Sequence, residues 1–371
     1  MCLTMVSMKV LVLAGGFATR MRPLSCTKPK SLLPVAGRPM FEWTLNNLVK
    51  NDVGEVILAV NYMADELEKH FGKKFGKVRI RYVRDLTPLG TGGPIKNAQR
   101  LLRGAVFAVM NGDILSEVKL KEMLKVHLEK DAVATVALHE VDDPSSFGVV
   151  KLGGDMRVES FVEKPKPHQA PSRLINAGVY LMSPEIFRYI PAGRKVSVER
   201  EVFPILAGKS RLYGYRYSGM WFDVGKVASY RDANFHFLER ICAGNAIARR
   251  GVKVGREVKL EAPTLVCEQT KIGDNSTIGS YTYLGRYVHV GRSVSAVKSI
   301  VFDNVRIGDF SNLDESIVGE GAVIGRGVSL GRNTILGDYV AVADGVRIAG
   351  GTVVCPGKEV AEDVLEATHL M

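Results

Sequence analysis

Two adjacent glycines and four cations crowd the stretch Leu13-Ala14-Gly15-Gly16-Phe17-Ala18-Thr19-Arg20-Met21-Arg22-Pro23-Leu24 and, shortly after, Thr27-Lys28-Pro29-Lys30-Ser31-Leu32-Leu33-Pro34-Val35. A turn without Cβ atoms lets backbone N–H groups approach phosphate oxygens closely, and nearby cations neutralise them. The spacing is not that of a Walker A loop, because no Gly-Lys-Ser/Thr follows at the required distance, and it is not GxGxxG. The chemistry implied is the holding of a polyphosphate. A plain turn flanked by solvated cations is the competing reading. Two aspartates stand further on: Asp113 in Met110-Asn111-Gly112-Asp113, and Asp223 in Trp221-Phe222-Asp223-Val224-Gly225. Each one alone reads as a turn or helix cap.

The elements that must position these residues alternate in type. Lys9–Leu13 reads as a strand that runs into the glycines, and 41–51 as a helix with Trp43, Leu45 and Leu48 on related faces. Strands are expected at Glu55–Val60, 78–82, 105–110 and 132–138, and helices at Ala64–Phe71, 93–102 and 120–130. This alternation predicts an α/β domain built on a Rossmann-like, mostly parallel sheet. Ligands of such sheets sit beyond the carboxyl ends of the strands, where the glycines and both aspartates fall.

From Val254 the period changes. An aliphatic residue recurs every six positions at Val254, Leu260, Val266, Ile272, Ile278, Leu284 and Val290. The phase is interrupted around Ile307 and Leu313, then resumes from Val318 through Ile324, Leu330, Leu336, Val342, Ile348 and Val354 to Val360. Gly follows most of these, and a small or β-branched residue usually sits four positions on, as at Ser276, Thr282 and Thr334. Six is neither a helical nor a strand period. It predicts the hexapeptide repeats of a left-handed parallel β-helix, with each aliphatic side chain inward and Gly or a small residue easing the corner. Residues 227–244 read as a linking helix, which divides the chain into 1–243 and 244–371.

The formal charge of +11 points to anionic partners. No helix-turn-helix, RNP-like or zinc-finger pattern accompanies it, so phosphorylated small molecules are expected rather than nucleic acid. No apolar run approaches the roughly 20 residues that span a bilayer. The five cysteines are dispersed, with no CxxC pair, which fits a reducing, cytoplasmic setting.

The loop from Gly15 to Val35 resembles the signature of the sugar nucleotidyltransferase family, GGxGTRLxPxTxxxPKxxxPV. Ala18 departs from its usual Gly, and Met21 replaces Leu at similar volume. The resemblance implies that Leu13, Gly15, Gly16, Thr19 and Arg20 bind a nucleoside triphosphate and that Lys30 reaches the reacting phosphates. Leu89-Gly90-Thr91 resembles the loop that holds the base, with Asp85 placed to read its edge or to serve as a simple turn residue. Phe147-Gly148-Val149-Val150, Phe161-Val162-Glu163-Lys164-Pro165 and Ile175-Asn176-Ala177-Gly178 resemble the family's sugar-recognition segments. Glu163 and Asn176 then meet sugar hydroxyls, Lys164 the sugar phosphate, and Gly148 and Gly178 line the pocket. Asp113 and Asp223 match the family's metal-binding aspartates, which implies Mg²⁺ as cofactor.

Ser197-Val198-Glu199-Arg200-Glu201-Val202-Phe203-Pro204, with the β-helix tail, looks most like mannose-1-phosphate guanylyltransferases. The expected reaction joins GTP and mannose 1-phosphate into GDP-mannose and pyrophosphate, with Arg20, Lys30 and Asp113 as catalytic residues. Alternatives are glucose 1-phosphate with dTTP or UTP, a catalytically silent paralogue that binds nucleotide sugar, and an added acyltransferase activity on the solenoid. For the last, His289 is the only histidine inside the repeats. Solenoid edges and flat faces suggest a homo-oligomer.

Overall fold

The computed structural model describes residues 8–61, 63–84 and 89–371. Two compact units divide them. One holds the chain up to Phe17 together with Phe41–Asp223, and the other holds Ala18–Met40 with Val224–Met371.

The first unit is organised by one large sheet. Its strands are β1 (Lys9–Leu13), β2 (Glu55–Val60), β3 (Val78–Arg84), β4 (Phe107–Asn111), β6 (Ala134–Glu140), β7 (Gly148–Leu152), β8 (Val158–Glu163), β9 (Leu174–Met182) and β10 (Leu212–Arg216). A short pair, β5 (Ile114–Ser116) and β11 (Trp221–Asp223), stands apart. The sheet runs β8-β7-β9-β4-β1-β2-β3, with β6 joined to β9 and β10. Only β3, β2, β1 and β4 form the parallel core. β9 pairs antiparallel with β4, β6 and β7, so the second half is mixed. The βα alternation that reveals parallel strands fades after β6, and the structure follows it there.

Four α-helices of two turns or more occur among the described residues: α1 (Met40–Lys50), α2 (Ala64–Phe71), α3 (Leu120–Glu129) and α4 (Val227–Cys242). The expected helix at 93–102 is broken into Gly92–Asn97 and Gln99–Leu102. Buried Leu11, Ile57, Ile95, Leu102, Phe107, Val109 and Tyr180 share one core.

In the second unit, residues 253–370 wind as a three-faced parallel β-helix, the architecture the hexads predict. Each strand pairs with one a full coil later, as Lys253 with Lys271 and Ile335 with Val353. The aliphatic hexad residues from Val266 to Val360 form its core, with Ile278, Leu284, Leu330 and Leu336 fully buried, whereas Val254 in the first coil, expected inward, is exposed and Leu260 only partly buried. The interruption in phase is a structural event: two coils are one residue short. Leu284 pairs with Val301 and Val301 with Val318, and the inward residues Ala296 to Val301 and Leu313 to Val318 are five apart. Each missing residue is taken from a corner, at Lys298 and Glu315, while the faces keep their pairing. These two corner residues stack as an ion pair at 3.3 Å.

The glycines do not ease the corner in the way the repeat suggests. A Cβ on Gly273 would lie 2.6 Å from the Gly291 carbonyl oxygen, and one on Gly319 would lie 2.5 Å from the Asp338 nitrogen. They are there because successive coils stack too closely for a side chain. The left-handed backbone falls two residues later, at Asn275, Ser293, Phe310 and Gly327 along one corner. The small polar residues tie the coils together: buried Thr270 Oγ1 donates to the Gly285 carbonyl at 2.7 Å, and Ser276 Oγ to the Gly291 carbonyl at 2.9 Å.

The strap 18–40 belongs to this second unit. It carries 3₁₀ turns at Thr19–Met21 and Lys30–Leu32, then a small hairpin of Pro34–Val35 and Arg38–Pro39. Met21, Leu24, Leu33 and Val35 are buried. The Ala36 N–H donates to Asn234 Oδ1 of α4 at 2.9 Å, and Tyr230 of α4 donates its hydroxyl to the Pro34 carbonyl. At Gly37, φ is +84° and a Cβ would meet Cys267 Sγ at 3.3 Å, so only glycine fits without strain.

Candidate functional site

The first unit has a cleft of about 340 Å³ at the carboxyl ends of β1 and β4. Leu13, Gly15, Gly16, Asn61, Leu89, Gly90, Thr91, Asn111 and Asp113 are among the residues that line it. β1 ends against its neighbours, with the Ala14 N–H on the Ala59 carbonyl (2.9 Å) and the Gly112 N–H on the Leu13 carbonyl (3.0 Å). A Cβ on Gly112 would lie 2.8 Å from that same carbonyl oxygen, whereas Gly16 faces open space. Chain crowding therefore explains Gly112, while a Cβ at Gly16 would meet nothing within 4 Å. Five of the residues expected to bind nucleotide, Leu13, Gly15, Gly16, Gly90 and Thr91, come together here with Asp113. Asp85 lies outside the described residues.

The wall opposite the glycines is fixed by Glu199, a residue the sequence reading did not single out. Gly90 adopts φ +69°, with a Cβ position only 2.3 Å from the Val196 carbonyl oxygen, and the Gly92 N–H closes on that oxygen at 2.9 Å. Thr91 Oγ1 donates to Glu199 Oε2 at 2.6 Å and accepts from the Val198 N–H at 3.0 Å. Ser197 Oγ donates to Glu199 Oε2 at 2.7 Å, and the buried Tyr180 hydroxyl donates to Glu199 Oε1 at 3.2 Å. Tyr180 in turn accepts from Asn176 Nδ2 at 2.9 Å. One buried carboxylate thus links the loop of Thr91 to the strand of Asn176. In the sequence it is one charge of the run Glu199-Arg200-Glu201, with nothing to mark it as the buried one.

The segments expected to recognise sugar are neighbours as well. Gly148 pairs with Glu163 across β7 and β8, and a Cβ on Gly148 would meet Phe161 Cζ at 2.7 Å and Glu163 Oε2 at 2.8 Å. Burial raises the Glu163 carboxyl's pKa, helped by the Glu199 charge and opposed by Lys164 and Arg200. Lys164 is exposed, at φ +51°. Asn176 spends one amide hydrogen on Tyr180 and accepts from the Gly178 N–H at 2.9 Å, which leaves one N–H and one lone pair for a ligand. Gly178, at φ +70°, would drive a Cβ to within 2.8 Å of Asn111 Nδ2. Through Asn111 and Gly178 the cleft and the sugar segments adjoin within one sheet.

Asp113 sits in the turn between β4 and β5, and Asp223 pairs with Ile114, the next residue along. Trp221 anchors this ladder by donating Nε1–H to the Ala177 carbonyl at 3.0 Å. The sheet pairing therefore brings together two aspartates 110 positions apart in the sequence. Asn111 Oδ1, at the mouth of the same turn, is buried with no hydrogen-bond donor among the described residues. Carboxylate and amide oxygens of this kind suit a hard divalent cation such as Mg²⁺. No group of three or more His, Cys, Asp or Glu side chains able to cage a metal occurs among the described residues.

Thr19, Arg20 and Lys30 lie on the strap of the second unit. Thr19 and Arg20 are exposed in the first 3₁₀ turn, and Lys30 opens the second. Ala18, at φ +49°, ψ +37°, holds the left-handed conformation that explains why Gly would be the easier residue there.

A glycine turn after the first strand of the parallel core, an all-oxygen donor set and a cleft between them mark an α/β protein whose site suits a polyphosphate. Comparison with known proteins carries this further. Residues 9–240 match the family model described as nucleotidyl transferase, and residues 246–370 match the GMPPB C-terminal domain. The chain belongs to the nucleotidyl transferase family. It is similar to the mannose-1-phosphate guanylyltransferase catalytic subunit beta of Danio rerio, 36% identical over 63% of this chain and 66% of that protein. It is also similar to the mannose-1-phosphate guanyltransferase of Aspergillus fumigatus, 35% identical over 84% of this chain and 86% of that protein. The match to the first of these spans just under two thirds of that relative's length. Among solved structures, HddC from Yersinia pseudotuberculosis complexed with GMP-PN superposes with a TM-score of 0.53 at 28% identity, over 62% of this chain and 99% of that one.

Proposed function

We propose that the chain is a Mg²⁺-dependent mannose-1-phosphate guanylyltransferase that makes GDP-mannose and pyrophosphate from GTP and mannose 1-phosphate. The observation that carries the reading is the junction of Asn111 and Gly178, which sets the cleft of Gly15, Gly16 and Asp113 beside the strand of Asn176. The relatives' activity supports the choice of substrates.

In this reading an oxygen of the sugar phosphate attacks the α-phosphorus in line. The new P–O bond forms as the bond to the β-phosphate oxygen breaks, and pyrophosphate leaves with that electron pair. The attacking group is already an anion at neutral pH, so no general base is needed. The protein must hold two mutually repelling anions in line and stabilise the gathered charge. Backbone N–H groups at Gly15 and Gly16 hold the triphosphate, and Gly90 and Thr91 hold the base side. Glu163 and Asn176 orient the sugar hydroxyls, with Gly148 and Gly178 leaving room for the ring. Arg20, Lys30 and Lys164 supply fixed positive charge. Mg²⁺ bound by Asp113 and Asp223 would neutralise phosphate charge during transfer.

The functional boundary falls at 243/244, close to the limits of the two family matches. The reading includes a cytoplasmic setting and a homo-oligomer formed through the β-helix, with no nucleic-acid or membrane partner. No helix of the described residues is long and apolar enough to cross a membrane. Cys26, Cys242, Cys267 and Cys355 are all free thiols, which supports the reducing compartment.

A substrate panel tests the proposal: GTP, ATP, UTP and dTTP against mannose 1-phosphate and glucose 1-phosphate, with products identified by mass. GTP with mannose 1-phosphate is expected to give the highest kcat/KM. GTP proving the poorest donor, or no turnover with any pair, overturns it.

A further inference from the structure

The strap that carries Arg20 and Lys30 is fastened to the solenoid by a buried ionic cluster. Lys28 Nζ lies 2.6 Å from Glu320 Oε2 and 3.1 Å from Asp338 Oδ2, and 5.5 Å from the centroid of the Phe302 ring. The Asp338 side chain is only 2% exposed. Its Oδ1 accepts the Glu320 N–H at 2.7 Å, and its Oδ2 also accepts the Thr27 hydroxyl. Burial acts to lower the Lys28 pKa, but Asp338 and Glu320 outweigh it and the net shift is upward, so the ammonium stays charged.

Glu320 and Asp338 occupy equivalent places on successive coils, immediately after Gly319 and Gly337. At the same place on the preceding coils stand Arg286 and Asp303, which pair with each other at 2.8 Å. Elsewhere too the corner charges pair within the solenoid, as Arg256 with Asp274 and Arg292 with Asp309. Glu320 and Asp338 form a pair of like charges on adjacent coils, and the cation that reconciles them comes from the strap. Taking Lys28 and Asp338 largely out of water is a poor way to gain stability, and such an ionic cluster is better suited to fixing one arrangement among several.

What it fixes is the strap two residues before Lys30 and eight after Arg20. Because the chain is continuous from Gly16 to Arg20, movement of the strap is movement of the proposed catalytic cations. We propose that Lys28, held by Asp338 and Glu320, is a positioning residue for the transfer reaction, so that the solenoid contributes to catalysis by holding Arg20 and Lys30 in place. This rests on the function proposed above. Lys28 itself touches no reacting atom in this account.

The test compares Lys28→Met, Asp338→Asn, the double variant and Arg20→Ala in the full chain, with steady-state kinetics, nucleotide binding by calorimetry and thermal unfolding. Loosening the strap should lower kcat at least tenfold in each clamp variant while nucleotide affinity changes less than threefold. The double variant should lose no more than the worse single one. A clamp that serves stability alone would shift the unfolding midpoint and leave kcat of the folded fraction unchanged, and that result overturns the proposal. So does a double variant whose losses multiply. If Asp338→Asn does not fold, Lys28→Met and Glu320→Gln carry the same comparison, Glu320 being partly exposed. Arg20→Ala separates the two levels: if it loses activity while folded clamp variants keep theirs, the clamp idea fails alone. If Arg20→Ala is itself fully active, the role given to the strap cations in the function proposed above fails.

Discussion

Both units hold residues in left-handed backbone, but they use it differently. In the solenoid these residues keep a beat: Asn275, Ser293, Phe310, Gly327 and Gly345 follow one another down a single corner. In the sheet unit they stand alone. Gly90, Lys164 and Gly178 fall in the segments expected to meet ligand, while Asp131 and Ser210 close ordinary turns. A repeated conformation is the mark of architecture, since each coil solves the same stacking problem. A solitary one, pressed against a neighbour as Gly90 is against Val196, directs attention to a site. The two units should accordingly fail in different ways when altered.

The largest effect is expected at the aspartates. Asp113→Ala and Asp223→Ala should each slow pyrophosphate release by a hundredfold or more, about 3 kcal/mol in the barrier, with little change in unfolding midpoint. Near-parental turnover in either would remove that residue from the mechanism. In the solenoid the pattern should invert. Leu330 is fully buried, and Leu330→Ala should lower stability by about 3 kcal/mol in denaturant titration while kcat of the folded enzyme stays within twofold. A rate loss as large as that of the aspartate variants would erase the contrast.

A pH titration sharpens it further. His127 is buried between the Thr135 and Ser183 hydroxyls at 2.8 and 2.9 Å, and burial lowers its pKa from 6.5 to about 4, against a smaller upward pull from Asp131. The unfolded chain therefore takes up this proton first as pH falls. The stabilisation is complete above pH 6.5 and is lost between pH 6.5 and about 4, amounting to about 3 kcal/mol at most. Unfolding of the sheet unit, followed by hydrogen exchange, should track this window, and His127→Gln should flatten it. An unchanged slope would show that other groups set the acid limit. The smallest effect belongs to a corner: Asn304 holds φ +63°, so Asn304→Gly should change stability by less than about 1 kcal/mol and leave activity alone.

Periodicity made the solenoid legible, because one inward aliphatic per hexad survives any local irregularity. The glycine loop was legible through fixed spacing, and its Leu13, Gly15 and Gly16 do line the cleft with Gly90 and Thr91. What sequence spacing cannot express is adjacency between distant segments. The pairing of Asp223 with Ile114 comes from a two-strand ladder too short to carry an alternation signal. Glu199 looked like one charge in a helical turn, and only burial beside Thr91 and Tyr180 gives it weight. The strap was read with the sheet because it follows β1 directly, whereas it groups with α4 and the coils, its Ala36 N–H bonded to Asn234 of α4. The glycines of the hexads were rightly placed but for a different reason, since coil stacking rather than chain reversal forbids their side chains.

The two shortened coils bear on how this protein tolerates length change. A residue removed at Lys298 or Glu315 leaves every later inward side chain inward, because the lost atoms come from a bend and each face restarts its own alternation. An insertion within a face, for example between exposed Arg306 and buried Ile307, would instead turn the following side chain outward and strand a methyl group in water. Insertions and deletions should therefore collect at the bends, and homologous solenoids are best aligned coil by coil, with gaps confined to those positions.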